Sequence, residues 1–400
     1  MRILCVFGQH NYGDPARGEG YEYSNFLPAL NNMGHEVEVF DSFSRASYAD
    51  FATLNRGLLE SVERFRPDQL FCVLMGYEIW LETLDLIRKS GVRLVNWGTD
   101  DSWKYDQFSR FVAPAFDLWA TTSTAAWLKA QHEGINNFML SQWAASAGCL
   151  AEPMPAGDCR YPVSFIGSAY GNRPQWIAAL KKRGIEVACF GHGWPNGPVA
   201  ANDIPRIVRE SVVSLNFGDS GVQFQGLRPY RSRQIKARVF EVPGAGGCLL
   251  TEAAEHLEDC YRIGSEIEVF SGIEELTKKL RYVLAHSEQR DVMAWAGYRR
   301  TQAEHTYEAR FKVLLDHMIK KETMTPIDFV AFDAIVNRHR IGNSARLLRT
   351  IFLAPFRLLW GAHRGPRAAR RFLFELSWRL FGRQTYTAAG WPGRWFYRES

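Results

Sequence analysis

Residues 69–97 read QLFCVLMGYEIWLETLDLIRKSGVRLVNW. Two short apolar runs, Gln69 to Met75 and Val92 to Trp97, flank Ile79 to Lys89, where apolar residues recur at helical spacing. Strand, helix and strand in so short a stretch form a crossover unit. Runs that are apolar at nearly every position suit strands buried on both faces of a parallel sheet. The alternation extends outward: Arg2 to Phe7, Glu36 to Phe40 and Asp117 to Thr122 read as strands, with helices over Tyr23 to Asn32 and Phe51 to Phe65. Trp143 to Arg160, with its small residues and Pro153 and Pro155, breaks the rhythm and reads as a linker. The pattern then restarts. Strands are expected at Val163 to Ile166, Glu186 to Phe190, Val212 to Phe217, Cys248 to Thr251 and Ile267 to Phe270, with helices at Pro174 to Arg183, Ile204 to Glu210, Ile273 to Ala285 and Ser287 to Thr306. This is an α/β chain of two doubly wound parallel-sheet domains, 1–150 and 151–323, with a cleft at the carboxyl ends of their strands and a helical tail at 324–400.

With 46% hydrophobic and 23% charged residues among 400, the chain can bury a large core and is no disordered polar tract. Its net charge of +5 is unevenly distributed. From Thr325 to Ser400 there are thirteen arginines, no lysine and four acids (Asp328, Asp333, Glu375, Glu399), so that segment carries +9 and the first 324 residues −4. A body of that sign argues against a whole-surface nucleic-acid binder and leaves a basic, aromatic tail to explain. Seven widely spaced cysteines without a C-x-x-C pair argue against a disulfide framework and a zinc knuckle, and for a reducing compartment. MRILCVFG is too short an apolar run for a signal peptide, and no uncharged apolar stretch reaches the roughly 18 residues that span a bilayer. The expected location is the cytoplasm.

A dinucleotide is the first ligand to test. After the first strand, Gly8 to Gly13 reads GQHNYG, which does not fit G-x-G-x-x-G; nothing comparable follows Val163 to Ile166, and there is no Walker lysine. Dehydrogenase and ATPase readings lose their main support. Gln234 to Glu252, QIKARVFEVPGAGGCLLTE, offers instead the chemistry of a nucleoside diphosphate site. Lys236 and Arg238 suit the phosphates, Glu241 can accept from ribose hydroxyls, and Gly244, Gly246 and Gly247 let the backbone approach closely. Pro243 should cap or kink a helix begun near Ala237. The same spacing also fits an exposed charged helix with a glycine-rich C-cap.

KARVFEVPGAGGCLLTE resembles the signature segment of the CgeB-like (spore maturation protein B type) branch of glycosyltransferase group 1, in the GT-B superfamily. VSFIGSAYGNR (Val163 to Arg173), CFGHGW (Cys189 to Trp194), VSLNF (Val213 to Phe217) and HTYEAR (His305 to Arg310) support it in that order, over roughly Arg2 to Leu315. The resemblance implies the GT-B fold, two Rossmann-like domains facing across a cleft, and transfer of a sugar from a nucleotide-diphosphate sugar held mainly by the second domain. It places Glu241 at the donor ribose, Lys236, Arg238 and the Gly246-Gly247 turn near the diphosphate, and Gly167, Ser168 and Arg173 on its other side. Many related retaining enzymes carry a second glutamate eight positions upstream of the ribose glutamate. Arg233 stands there in this chain, which leaves the anomeric outcome open. GT-B enzymes as a class need no divalent metal, and the chain shows neither His/Cys ligand spacing nor H-E-x-x-H. No metal is expected, and no cofactor beyond the nucleotide sugar as co-substrate.

Cations and N–H groups should stabilise the departing diphosphate most strongly at the transition state. For the acceptor, GTDDSW puts Asp100 and Asp101 at a strand's carboxyl end, where a carboxylate can take a hydroxyl proton, and CgeB-like proteins often show a similar pair. An Asx turn or helix N-cap before Ser102 to Phe111 fits the same residues. His10 is another candidate base and fits a structural histidine equally well. The loop from His10 to Tyr23, with its glycines and Tyr12, Tyr21 and Tyr23, suits an acceptor lid or an ordinary connection.

In the tail, Arg346 to Trp360 and Ala368 to Phe381 are apolar stretches punctuated by arginine. Arg371, Glu375 and Arg379 line up at i, i+4 spacing while the remainder of the second stretch is too apolar for free solvation. It should bury on an anionic membrane surface or on the body, whereas nucleic acid would not need so many aliphatic neighbours. The reading that results is a cytoplasmic glycosyltransferase, peripheral at the inner face of the membrane, building a cell-surface polysaccharide or glycoconjugate on a glycan, lipid-linked or protein acceptor. A nucleotide-sugar epimerase or hydrolase of the same fold and a noncatalytic GT-B scaffold are the alternatives.

Overall fold

The structure, a computed structural model, describes residues 1–225, 228–316, 324–340 and 342–399. The chain divides into two units, Met1–Gln142 with Val313–Ser400, and Trp143–Lys312. The expected boundary at 323/324 lies outside the described residues, and the described part of 324–400 belongs to the first unit.

The first unit is built on β1 (Arg2–Phe7), β2 (Glu36–Asp41), β3 (Gln69–Cys72), β4 (Arg93–Gly98), β5 (Leu118–Thr121) and β6 (Phe138–Leu140), all parallel in the order β2-β1-β3-β4-β5-β6. Between them run α1 (Tyr21–Asn32), α2 (Phe51–Phe65), α3 (Leu81–Lys89), α4 (Asp101–Lys104), α5 (Arg110–Val112) and α6 (Thr124–His132). Successive strand residues point to opposite faces, so both layers fill. Leu4, Val6, Leu70, Cys72 and Leu94 join Leu58, Val62, Leu84 and Ile87 of α2 and α3 in one core. Ile3, Cys5 and Val95 are as deeply buried on the other face, where Phe26 of α1 packs edge-on against Phe71 and Trp97. Helix α2 shows why its sequence folds locally. Asp50 accepts from Thr53 N–H at 2.8 Å while the Thr53 hydroxyl accepts from Asp50 N–H at 3.1 Å, closing a capping box ahead of an apolar stripe.

The second unit holds β7 (Tyr161–Ile166), β8 (Ala188–Phe190), β9 (Ser211–Asn216), the antiparallel pair β10 (Asp219–Gln225) and β11 (Arg228–Arg233), β12 (Leu249–Glu252) and β13 (Glu268–Phe270). Its parallel sheet runs β13-β12-β9-β7-β8. Helices α7 (Arg173–Lys181), α8 (Ile204–Arg209), α9 (Arg238–Gly244), α10 (Ile273–Ala285) and α11 (Ser287–Glu304) cover it, and α12 (Tyr307–Asp316) follows. Leu249 and Leu250 enter two different cores, one with Val239 and Phe240 of α9, the other with Leu276 and Leu280 of α10. In both units the first strand has the second on one side and the third on the other. That reversal, between β1 and β3 and between β7 and β9, is where doubly wound sheets bind ligands, outside the strands' carboxyl ends.

The tail forms α13 (Phe329–His339), α14 (Asn343–Phe381) and α15 (Trp391–Trp395). Much of it completes the first unit's interior. Phe332 stacks on Trp80, Tyr397 meets Phe51 edge-on with ring centroids 4.8 Å apart, and Phe374 packs on Tyr77. The Tyr386 hydroxyl donates to the Gln107 carbonyl. Among the described residues no helix is long and apolar enough to cross a membrane, and all seven cysteines are free thiols.

Candidate functional site

In the second unit the carboxyl ends of β7 and β9 lie side by side, with Phe165 paired to Leu215. Gly167 and Ser168 leave β7, half-buried, on the loop that leads into α7. Gly167 is held on both sides: its N–H donates to the Phe190 carbonyl at 2.8 Å and its own carbonyl accepts Trp194 Nε1–H at 2.7 Å. Ala169 N–H donates to the His192 carbonyl at 2.8 Å. The GHGW segment is therefore the buttress of this loop. Arg173, first residue of α7, reaches back to donate to the Ser168 carbonyl at 3.1 Å and lies over the Tyr170 ring. A small-residue loop entering a helix that starts with a cation suits a phosphate.

The neighbouring strands add charge. Beyond β9, Gly218 N–H donates to the Glu252 carboxylate at 3.0 Å, and Arg233 Nε pairs with its other oxygen at 2.9 Å. Glu252, buried at the end of β12, thus fixes a guanidinium at the sheet's carboxyl edge. Gln234 N–H donates to the Gly218 carbonyl, and Lys236 Nζ donates to Gln234 Oε1 at 2.8 Å. Arg238 Nη1 and Glu241 Oε2 pair at 3.2 Å in the first turn of α9. Through Gln234 the segment that carries Lys236 and leads into α9 is tied to Gly218, at the carboxyl side of the sheet from which the Gly167-Ser168 loop also leaves. Glu252 was missed by sequence reading, although a carboxylate closing an apolar strand is the signal that singled out Asp100.

Gly246 and Gly247 lie elsewhere. Expected near the diphosphate, they follow the far end of α9, where the chain turns into β12 at the sheet's opposite edge. Gly246, at φ 77, follows the helix where a Cβ would overlap the backbone of Ala151 and Pro153, and a Cβ at Gly247 would overlap Val208. A buried helix stop needs close backbone approach just as a phosphate loop does, so composition does not separate the two.

In the first unit the structure separates the paired aspartates. Asp101 is buried; its carboxylate accepts from Ser109 Oγ and, at 2.9 Å, from Trp119 Nε1. Burial raises its pKa, against the downward pull of donors from Ser109, Trp119 and Thr121 and of the Lys104 charge. Its carboxylate is committed to holding the turn after β4. Asp100 stays half-exposed and pairs with Lys104 Nζ at 3.4 Å. Within its electrostatic reach is Glu22 of α1, whose pKa is raised by burial and by Asp100, and lowered by its own backbone N–H and by Lys104. Sequence reading passed over Glu22 because an acid in a first helical turn is ordinary. His10 is half-buried, and its loop closes on itself through a bridge to Glu19 and Asn11 Nδ2 donating to the Glu19 carbonyl at 2.7 Å. Tyr12 is exposed at φ 56.

Gly98 allows this arrangement: a Cβ there would overlap Asp101 Oδ2 and lie 2.8 Å from Trp119 Nε1. Gly98→Ala is expected to cost about 1–3 kcal/mol in urea denaturation. Parental stability would show that the Asp101–Trp119 pair moves aside freely.

Residues 173–316 match the family described as glycosyl transferase-like. The match takes in α7, the hairpin, α9 and β12, and so most of the cluster at the second sheet's carboxyl edge. Solved structures are similar over most of the chain. HepE of Anabaena, in complex with UDP and glucose, superposes with a TM-score of 0.54 at 12% identity, over 80% of this chain and 99% of its own. Sucrose-phosphate synthase of Thermosynechococcus elongatus gives 0.54 at 10% identity over the same shares. The DNA-modifying β-glucosyltransferase gives 0.50 at 14% identity, again over 80% and 99%. No curated protein matches the chain. These likenesses show the fold, GT-B, with two Rossmann-like parallel-sheet units and a helical C-terminal region.

Proposed function

We propose that the chain is a glycosyltransferase that moves a hexosyl group from a nucleotide-diphosphate sugar to an acceptor hydroxyl, in the manner of the CgeB-like enzymes that its signature segment resembles. The observation that carries this is the placement of Gly167, Ser168, Arg173 and Arg233 at the carboxyl side of the second sheet, with Lys236, Arg238 and Glu241 on the segment that Gln234 ties to it, largely within the family match. The solved relatives support the donor class, since HepE is seen with UDP-glucose and the β-glucosyltransferase takes uridine diphosphoglucose as substrate.

Bond cleavage leaves negative charge on the diphosphate as positive charge builds at the anomeric carbon. Arg173, Lys236 and Arg238 meet the leaving charge directly, which is why no divalent ion or other cofactor enters the proposal. Glu241, oriented by Arg238, accepts from the ribose hydroxyls. In the first unit Asp100, flanked by Lys104 and Glu22, takes the acceptor proton, and Asp101 holds the turn that presents it. The product is a cell-surface glycan or glycoconjugate, assembled with the basic tail at the inner face of an anionic membrane.

Calorimetry with UDP and GDP tests the donor site: Glu241→Ala and Lys236→Ala are each expected to weaken binding about tenfold. Undiminished binding in both variants would remove the assignment. Donor turnover with and without candidate acceptors then separates transfer from hydrolysis, and absence of any turnover would favour a noncatalytic scaffold.

A further inference from the structure

Helix α14 is two arms, because its backbone breaks at Gly361 (φ 76). The arms fold against each other. Phe352 and Phe356 of the first meet Phe372 of the second with ring centroids 6.3 and 5.6 Å apart. The inner side of this hairpin is occupied: Leu353 and Ala369 are buried with Phe396, and Arg349 is held by the Trp395 carbonyl at 2.6 Å and by Glu399 at 2.7 Å. Its apex is different. Leu358, Leu359 and Trp360 are 87%, 69% and 51% exposed, three large apolar side chains in a row just before the break. Arg357, Arg364 and Arg367 are exposed close to them along the chain and Arg371 is exposed further down the second arm, and from Ala334 to Phe374 the sequence has nine arginines and no acid.

An apolar tip on a hairpin whose arms carry exposed arginines matches the two layers of an anionic bilayer face, acyl chains beneath phosphates. We infer that the Leu358–Trp360 apex inserts into the interfacial zone of an anionic membrane while the neighbouring arginines bind lipid phosphates. This rests on the membrane placement proposed above and narrows it to one end of one hairpin. Insertion is shallow, since no helix among the described residues can cross. Apex-to-apex pairing with a second copy of the chain is disfavoured, because it would bring together the same unbalanced positive charge.

The test uses the full chain, because removing the tail would also strip Phe332, Phe374 and Tyr397 from the first unit's core. It is sedimented with vesicles of phosphatidylcholine, alone or mixed with phosphatidylglycerol. The parent is expected to bind the phosphatidylglycerol vesicles. The Leu358→Ser, Leu359→Ser double variant, which spares the stacking of Trp360 on Phe356, should lose at least about tenfold of that binding at unchanged thermal stability. Arg364→Gln, Arg367→Gln, Arg371→Gln should lose the preference for phosphatidylglycerol. Parental binding by the apex variant would overturn the apex and leave the membrane placement standing, whereas a parent that ignores anionic vesicles would overturn both. An apex variant that dissociates an oligomer without altering vesicle binding would assign the surface to another copy, against the inference.

Discussion

Replacing Arg290 by methionine is expected to destabilise the second unit by about 3–5 kcal/mol. The guanidinium is buried in α11 and gives all its reach to the interior: Nε donates to the Val212 carbonyl at 2.7 Å, Nη2 to Ser211 at 2.8 Å, and Nη1 to Met154 at 2.7 Å. Nη1 also meets Asp291, whose carboxylate in turn accepts Ala156 N–H at 3.0 Å. One side chain thus ties α11, the start of β9 and the linker segment together. Methionine fills much of the volume but takes a charged donor away from three carbonyls, that of Ser211 buried, and leaves Asp291 without its cation. Lysine, able to satisfy some of them, should cost less. Urea denaturation reads both changes, and a methionine variant with the parent's midpoint would show that water replaces the guanidinium at no cost.

Between pH 6.5 and 4 the second unit is expected to lose about 3 kcal/mol of stability through His305 alone. Arg310 Nη2 donates to His305 Nδ1 at 2.9 Å, so the ring proton sits on Nε2, which donates to the Cys260 carbonyl at 2.7 Å. Phe240 and Tyr261 pack against the ring. Burial first, and then the Arg310 charge, lower its pKa to about 4. An unfolded histidine titrates near 6.5. Below that pH the unfolded chain takes up a proton that the native chain refuses, so stability falls by about 1.4 kcal/mol per pH unit until the folded pKa is reached. Above pH 6.5 the penalty is absent. His305→Gln keeps a donor and an acceptor without the titration, and should gain about 2 kcal/mol on the parent between pH 7 and pH 5. Parallel pH profiles would sink the argument. His305 and Arg310 of HTYEAR are accordingly structural, and the same segment pairs its backbone with Ala145.

What the sequence made legible follows from where periodicity carries information. Phe51–Phe65 was readable to the residue because a capping box opens it and an apolar stripe runs its length. The strand Phe138–Leu140 was not, since three residues give no period, and the β10–β11 hairpin is too polar to read as strand. At the site, the charged triplet Lys236, Arg238 and Glu241 could be placed because α9 begins where the sequence says it does. Arg290 and Glu252 could not: charged side chains count as surface in any pattern argument, and only the fold shows which of them are enclosed. Asp100 and Asp101 are adjacent letters with opposite fates, decided by Ser109 and Trp119 from elements the pair's own neighbourhood does not reveal.

The first unit is assembled from the two ends of the chain, with the second unit inserted between them. On the ribosome, Trp143–Lys312 emerges complete before the segments that cover Phe51, Tyr77 and Trp80 exist. At roughly 5–20 residues per second the nascent first unit waits on the order of ten seconds with those aromatic faces open. The first unit's core thus closes only after the second unit has been synthesised, whereas the second unit has all its residues in one continuous stretch and can fold as it emerges.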